Sequence, residues 1–189
     1  DSTKPSLWES ETNKAKTVAL WKKLSERYKS EPWVAGYDLI NEPAWDLPGG
    51  VALKDLYGRI TDAIRANGDN HILFIEGNWY SNDFTGLTPA WDTNMVYSFH
   101  KYWSDASTQD IKWITDFREA QNKPIWCGEH GENSNDHFTK IVETFEENNI
   151  GFSWWPMKKF SSINDFADAK FPPGYNDLLN YFGGTNPGL

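Results

Sequence analysis

The feature that most constrains the fold of this chain is a regular alternation of short strand-forming runs with amphipathic stretches. Five runs are rich in β-branched and aromatic residues, and each ends in polar or glycine-containing sequence. These runs cover residues 33–40, 71–77, 94–99, 123–128 and 150–155. Strands that alternate with helices usually pair in parallel through right-handed crossovers. The order therefore predicts an α/β fold with a parallel sheet.

Four stretches carry apolar residues at the three- and four-residue spacing of a helix face. They cover residues 18–28, 53–64, 111–117 and 138–145. The sequence Ser107-Thr108-Gln109-Asp110 resembles a capping box that opens the third of them. The segment between Gly77 and Asn94 is short and rich in turn residues, so we expect a loop there with at most one helical turn.

Residues able to take part in chemistry gather at the carboxyl ends of the predicted strands. They are Glu42, Asn78, His100, Glu129 and Trp155. This distribution is typical of an α/β barrel. An open parallel sheet can also carry a site at this edge, but it normally has a phosphate-binding glycine turn. No run is followed by G-x-G-x-x-G, so the (β/α)8 TIM-barrel type of fold is favoured.

The number of runs is too small for a closed barrel. A (β/α)8 barrel has eight strands and typically about 250 residues, whereas this chain has 189 residues and five runs. It also opens with a helical stretch. We therefore expect a single domain over residues 1–189 that forms an incomplete barrel, with strands four to eight and without the first three.

Two glutamates stand at matching strand ends. Asn41-Glu42-Pro43 follows the first run, and the fourth run leads straight into Glu129-His130-Gly131. Two carboxyl groups across one cleft are what glycoside hydrolysis requires. The pattern predicts Glu42 as the acid/base, which gives up a proton and then acts on water. It predicts Glu129 as the ionised nucleophile.

Each assignment has an alternative. Glu42 could be a solvated turn glutamate, and Glu129 could end its strand in a salt bridge. Glu132 is a rival for the nucleophile, although it lies further into the loop. Glu76, also near a strand end, is a lesser candidate.

Further side chains are candidates for holding a sugar. Asn41 can bond a hydroxyl beside the reacting carbon, while His100 can bond another and Tyr102 can steady the nucleophile. Alternation directs only one of Trp154 and Trp155 inward. Trp155 is chosen as the stacking platform because it is nearer the carboxyl end of the last run. Trp79 could line the rim or equally pack within its loop, and the same two alternatives apply to Trp45 and Trp103.

The composition of the chain narrows the classes of molecule that it is expected to bind. The chain has 11 Trp and 16% aromatic residues, and indole faces pack well on the C–H faces of sugar rings. A net charge of -9 disfavours nucleic acid and anionic membranes as partners. No apolar stretch approaches the length of a membrane span, and the first residues lack the apolar core of a signal peptide. We expect a secreted, extracellular or periplasmic protein without its signal peptide.

Metal, cofactor and thiol chemistry have little support in the sequence. The single cysteine, Cys127, excludes an internal disulfide. A nucleophilic thiol paired with His100 or His130 is conceivable, but no cysteine-protease signature surrounds it. His130 and His137 lack zincin spacing. We therefore expect no metal site and no cofactor.

Four motifs together resemble glycoside hydrolase family five, the cellulase-like retaining barrels. In chain order they are Asn41-Glu42-Pro43, His100-Lys101-Tyr102, Glu129-His130-Gly131 and Trp154-Trp155. The resemblance spans about residues 33–159. It implies double-displacement hydrolysis of β-1,4-glucosidic bonds in cellulose or related β-glucans, with Glu42 as acid/base and Glu129 as nucleophile. The subsite for the attacked sugar would consist of Asn41, His100, Tyr102 and Trp155.

Two family features cannot be found in this chain, namely an arginine on an early strand and a histidine near the third strand. This leaves a second hypothesis, in which the chain is a fragment with little or no catalysis. Because sheet edges with unpaired backbone groups tend to associate, such a fragment would form a homo-oligomer or bind a missing N-terminal half. A third hypothesis keeps the scaffold and changes the substrate to mannan or β-1,3-glucan.

Overall fold

The computed structural model describes residues 5–102, 105–156, 159–160 and 169–170. The described residues form two compact units, one made of those up to residue 99 with 121–124 (unit 1) and the other of those from 100 to 120 with those from 125 onward (unit 2). The α-helices are α1 Glu11–Tyr28, α2 Val51–Arg65, the short α3 Asn78–Ser81, α4 Lys112–Gln121 and α5 Asn135–Glu147. The strands are β1 Gly36–Asp38, β2 Ile72–Glu76, β3 Met95–Lys101, β4 Ile125–Gly131, β5 Gly151–Trp155, β6 Lys159–Phe160 and β7 Ala169–Lys170.

The main sheet has five strands in the order β1-β2-β3-β4-β5. β1 pairs with β2, β2 with β3, and β4 with β5, all in parallel. This confirms the predicted α/β fold of five strand–helix repeats, which corresponds to part of a (β/α)8 barrel. The antiparallel pair β6–β7 was not predicted, because runs of two residues carry no periodicity.

The core of unit 1 forms where α2 covers the strands. The predicted stripe is fully buried, with no exposure at Leu53, Leu56, Tyr57, Ile60 or Ile64. Leu73 and Ile75 of β2 are equally buried. Burying a side chain of this size stabilises the fold by about 1.5–3 kcal/mol, so this stripe is a main source of stability in unit 1.

The first strand is shorter than predicted. The run 33–40 was expected to be a buried strand, but β1 covers only Gly36–Asp38 and the side chain of Trp33 is 92% exposed. The Val34 N–H donates to the Glu31 carbonyl oxygen at 3.2 Å, which closes a turn and keeps these residues out of the sheet. Pro32 favours such a turn over a continuous strand.

Unit 2 has its own apolar core. Phe138, Ile141, Val142 and Phe145 of α5 are buried, as the stripe predicted. The Ser134 side chain caps α5 by accepting a hydrogen bond from the His137 N–H. The predicted capping box at Ser107 and Asp110 is present at the 3-10 turn Thr108–Ile111, which precedes α4. Among the residues that the structure describes, no helix has the length and apolarity to cross a membrane.

Candidate active site

In unit 1, Glu42 lies in a tightly fixed segment beyond β1. Its backbone is in the left-handed region, with φ of 45°, which is uncommon for a residue with a side chain. The Glu42 N–H donates to Oε2 of Glu76 at 2.6 Å. Just before it, the Leu39 carbonyl oxygen accepts a hydrogen bond from Trp21 Nε1 at 3.0 Å. These bonds hold the backbone that carries the Glu42 carboxyl group.

Glu76, a lesser candidate for a catalytic carboxylate, supports the backbone of Glu42 in the structure. It ends β2, is 1% exposed, and its carboxylate accepts the Glu42 N–H. The Tyr57 hydroxyl donates to the Glu76 carbonyl oxygen at 2.9 Å. A buried carboxylate is stable only where donors meet it, so Glu76 serves as a backbone anchor for Glu42. Asn41, predicted to bind a sugar, is exposed.

Asn78 joins the loop after β1 to the loop after β2. Its Nδ2 donates to the Trp45 carbonyl oxygen at 2.9 Å, and the Trp45 N–H donates to Asn78 Oδ1 at 3.3 Å. Beyond it, Trp79, Tyr80 and Ser81 all have positive φ values, from 51° to 65°. The side chains of Trp79 and Tyr80 are about half exposed. Sequence reasoning identified Trp79 and placed Asn78 at a strand end, but it missed that the buried Asn78 amide steadies this turn. Trp103 lies outside the described residues.

In unit 2, Glu129 lies at a β-bulge inside β4, and not just beyond the strand as the sequence predicted. Cys127 pairs with Phe152 and His130 with Trp154, so three steps along β4 match two along β5. A bulge adds one residue to a strand and re-aims the side chain that it carries. The Glu129 side chain is 16% exposed, whereas Cys127 and His130 are fully buried.

Two predicted residues meet Glu129. The Tyr102 hydroxyl donates to Glu129 Oε2 at 2.5 Å, and His100 Nδ1 lies 3.6 Å from the same oxygen. Asn133 Nδ2 in turn donates to the Tyr102 carbonyl oxygen at 3.1 Å. His100 is buried near the end of β3 and Tyr102 directly follows that strand. The structure therefore brings Tyr102 and His100 together at one carboxylate oxygen of Glu129, as expected for residues of one site.

The end of β5 separates the two adjacent tryptophans as alternation predicted. Trp154 packs its ring on Phe138, with ring centroids 4.4 Å apart, while Trp155 is 50% exposed. Gly131 is opposite Trp155 in the sheet, and a Cβ at Gly131 would lie 2.1 Å from the Trp155 carbonyl oxygen. Only glycine permits this approach.

The alternatives for the nucleophile fit the structure less well. Cys127 is fully buried, and burial raises the pKa of its thiol well above the usual range, which disfavours the reactive thiolate. Glu132 is exposed and lies beyond the end of β4. Neither side chain has the partial burial of Glu129, whose side chain is 16% exposed.

His130 sits in an aromatic cage. Its ring lies edge-on to Phe145, Phe152 and Trp154 at centroid distances of 5.4, 5.1 and 5.1 Å. Neither ring nitrogen has a hydrogen-bond partner among the described residues. Burial, assisted by the charge of His137, lowers the pKa of His130 to about 4.

This burial predicts a pH-dependent stability. Because unfolded histidine binds its proton at a pKa of about 6.5, the unfolded state holds more protons between pH 6.5 and pH 4. Stability is then lost as the pH falls, by about 2 kcal/mol between pH 7 and pH 5. Urea titrations at both pH values should show this loss in the wild type and a much smaller one in His130→Phe. An equal loss in both proteins would contradict the assignment.

Comparison with known proteins identifies the family. A model of the cellulase family, glycosyl hydrolase family 5, matches residues 2–161. A β-xylosidase of Phanerodontia chrysosporium is 34% identical over 99 residues, which are 51% of this chain and 20% of the relative. An endoglucanase of Paenibacillus polymyxa is 28% identical over 205 residues, covering 95% of this chain and 47% of the relative. The chain thus spans about half the length of these relatives or less.

Solved structures share the fold at low identity. An endo-β-1,4-glucanase of Xanthomonas axonopodis pv. citri has a TM-score of 0.74 at 16% identity, over 89% of this chain and 65% of that one. Thermotoga maritima Cel5A in complex with mannotriose has a TM-score of 0.68 at 19% identity, over 82% and 62%. Since the family model matches most of the sequence, this chain belongs to the cellulase family, glycosyl hydrolase family 5.

Proposed function

We propose that this chain acts as a retaining glycoside hydrolase that cleaves β-1,4-glucosidic bonds in cellulose or related β-glucans. The observation that carries the proposal is the hydrogen bond from Tyr102 to the part-buried carboxylate of Glu129 at the β4 bulge. Membership of the cellulase family supports the reaction class. A relative named endoglucanase supports β-glucan as the substrate.

In the first step, Glu129 acts as the nucleophile. A carboxylate oxygen forms a bond to the anomeric carbon while the bond to the leaving oxygen breaks. Tyr102 and His100 contact Oε2, and this fixes the orientation of the carboxylate. The product is a covalent glycosyl ester on Glu129.

Glu42 acts as the acid and then as the base. Its carboxylic proton goes to the leaving oxygen as the glycosidic bond breaks, and its carboxylate then takes a proton from the attacking water. Water replaces Glu129 at the anomeric carbon, so the configuration is inverted twice and retained overall. In unit 1, this role of Glu42 is supported by its left-handed backbone, which the carboxylate of Glu76 holds through a hydrogen bond.

Substrate choice is assigned to exposed aromatic rings and to Asn41. Trp155 and Trp79 expose indole faces that could pack on pyranose C–H faces. Mannan and β-1,3-glucan are the alternative substrates, and mannan gains interest from the mannotriose bound to Thermotoga maritima Cel5A. Secretion or periplasmic export stays a prediction from the sequence.

Parallel assays test the proposal. Reducing ends released from hydroxyethylcellulose, mannan and laminarin would be compared, and NMR would follow the first product anomer. We expect the highest rate on hydroxyethylcellulose, with the β-anomer formed first. A faster reaction on mannan or laminarin would change the substrate, and an α-anomer formed first would contradict the retaining mechanism.

A second candidate is a poorly active chain that works only in an assembly. It is favoured by β1 and β5, which are the outer strands of the five-stranded order, because outer strands can add another chain. Sedimentation velocity over a hundredfold concentration range should then show self-association. A concentration-independent monomer that hydrolyses β-glucan at an ordinary enzymatic rate would contradict this candidate.

A further inference from the structure

Lys101, in unit 2, is a buried cation that the proposed reaction does not use. It is the last residue of β3, and only 5% of its surface is exposed. Removing an ammonium group from water costs free energy unless hydrogen bonds and opposite charges replace the water. Burial accordingly lowers the pKa of Lys101, and the charges of Asp110 and Asp105 offset part of this effect. A lysine buried at this cost is a candidate for ordering the residues around it.

Lys101 stands in the chain between the two residues that contact the carboxylate of Glu129. His100 Nδ1 and the Tyr102 hydroxyl lie 3.6 and 2.5 Å from Glu129 Oε2. Because side chains alternate along an extended chain, Lys101 points to the other side of β3. There its charge adds to burial in lowering the pKa of His137 on α5. Lys101 can therefore influence Glu129 through its neighbours in the chain.

Two side-chain donors fix the backbone at Tyr102 and beyond it. Lys101 Nζ donates to the Asp105 carbonyl oxygen at 3.0 Å, which ties the end of β3 to the chain that follows Tyr102. Asn133 Nδ2 donates to the Tyr102 carbonyl oxygen at 3.1 Å. The Asn133 amide is itself oriented, because its Oδ1 accepts the Ser134 N–H at 2.8 Å. A backbone fixed at these two carbonyl groups restricts where the Tyr102 ring can lie.

We propose that Lys101 and Asn133 are positioning residues that keep the Tyr102 hydroxyl on the nucleophile. Lys101 holds the chain that follows β3, and Asn133 holds the Tyr102 carbonyl group. The ring of Tyr102 is then directed at Glu129 Oε2, so the orientation of the carboxylate is set before the substrate binds. The proposal rests on the proposed function, because it takes Glu129 as the nucleophile.

A double-mutant cycle tests this role. Lys101→Met keeps an unbranched apolar side chain and removes the donor. Because small errors in placement are costly, ester formation from dinitrophenyl cellobioside should slow about tenfold, with little change in the dissociation constant of the substrate. Lys101→Arg should recover part of the rate. Tyr102→Phe should lose at least as much, and in that background Lys101→Met should cost less than about threefold more. Lys140→Met, at an exposed position on α5, is the control and should react like the wild type.

Crystal structures of the variants give a readout that needs no activity. The Tyr102 hydroxyl should move away from Glu129 Oε2 in Lys101→Met and keep its position in Lys140→Met. This separates the inference from the proposed function. If the wild type forms no glycosyl ester, the proposed function fails, and the position of the Tyr102 ring still decides whether Lys101 holds it.

Two results would overturn the inference. One is a Tyr102 ring that stays in place in Lys101→Met. The other is an equal loss of rate from Lys101→Met with and without Tyr102→Phe, which is the result of a merely structural role. If Lys101→Met does not fold, Asn133→Ala takes its place, because Asn133 is exposed. It should slow ester formation severalfold in the presence of the Tyr102 hydroxyl and have little effect in the Tyr102→Phe background.

Discussion

Replacing Glu129 by glutamine is expected to lower kcat for β-glucan hydrolysis more than about a thousandfold. The amide cannot form the glycosyl ester, so the covalent route is lost even though the residue keeps its shape. The hydrogen bond from Tyr102 can still reach the amide oxygen, so the fold of unit 2 should persist. Initial rates of reducing-end release, with circular dichroism as the check on folding, measure this effect.

Glu132→Gln is the matched control for that experiment. It makes the same chemical change three residues along the chain, at an exposed position beyond β4. We expect its kcat to stay within about twofold of the wild type, in line with the small effects of most surface substitutions. A loss in Glu132→Gln as large as that in Glu129→Gln, or normal activity in Glu129→Gln, would contradict the assignment.

Replacing Glu42 by glutamine is expected to slow hydrolysis by about a hundredfold to ten-thousandfold for substrates with a poor leaving group, the usual range for a general acid. A dinitrophenyl leaving group departs without a proton, so formation of the glycosyl ester from dinitrophenyl cellobioside should change far less. Burst kinetics separate ester formation from its hydrolysis. Equal slowing of ester formation with both leaving groups would exclude an acid role for Glu42.

The comparison between substrates with poor and good leaving groups also tests Glu76 as a positioning residue. Glu76→Ala removes the acceptor of the Glu42 N–H, and the carboxyl group of Glu42 should shift. Because a displacement of about 1 Å can cost a hundredfold, we expect a loss of about 10- to 100-fold that falls mainly on poor leaving groups. A purely structural role would slow both substrates alike. Glu26→Ala, at an exposed position on α1, is the control.

The sequence predicts much of this fold because apolar periodicity reports burial directly. The stripe from Leu53 to Ile64 and the stripe from Phe138 to Phe145 both form helices whose apolar face is buried. Strand alternation predicts that Trp154 and Trp155 point to opposite sides of the sheet, and in the structure Trp154 packs on Phe138 while Trp155 is half exposed. The choice of Trp155 as the sugar platform stays a prediction. Where the apolar residues of a segment follow the period of a helix or strand and are buried on one face, the sequence of that segment is sufficient to predict the element.

The features that the sequence could not predict depend on contacts between distant segments. Trp33 looks like a strand residue, but the turn closed by Val34 leaves it exposed. The bulge at Glu129 exists only through the register of β4 on β5. The anchoring of Glu42 by Glu76 joins residues that are 34 positions apart. Periodicity describes one segment at a time and contains none of this information.

Trapping the covalent intermediate tests the central claim most directly. A 2-deoxy-2-fluoro cellobioside with a dinitrophenyl leaving group slows both steps but lets the ester form, because the fluorine destabilises the oxocarbenium-like transition states. Intact mass spectrometry should show one added fluorocellobiosyl group, and peptide mapping should locate it on Glu129. A label on another residue, or no label while the enzyme hydrolyses β-glucan, would contradict Glu129 as the nucleophile.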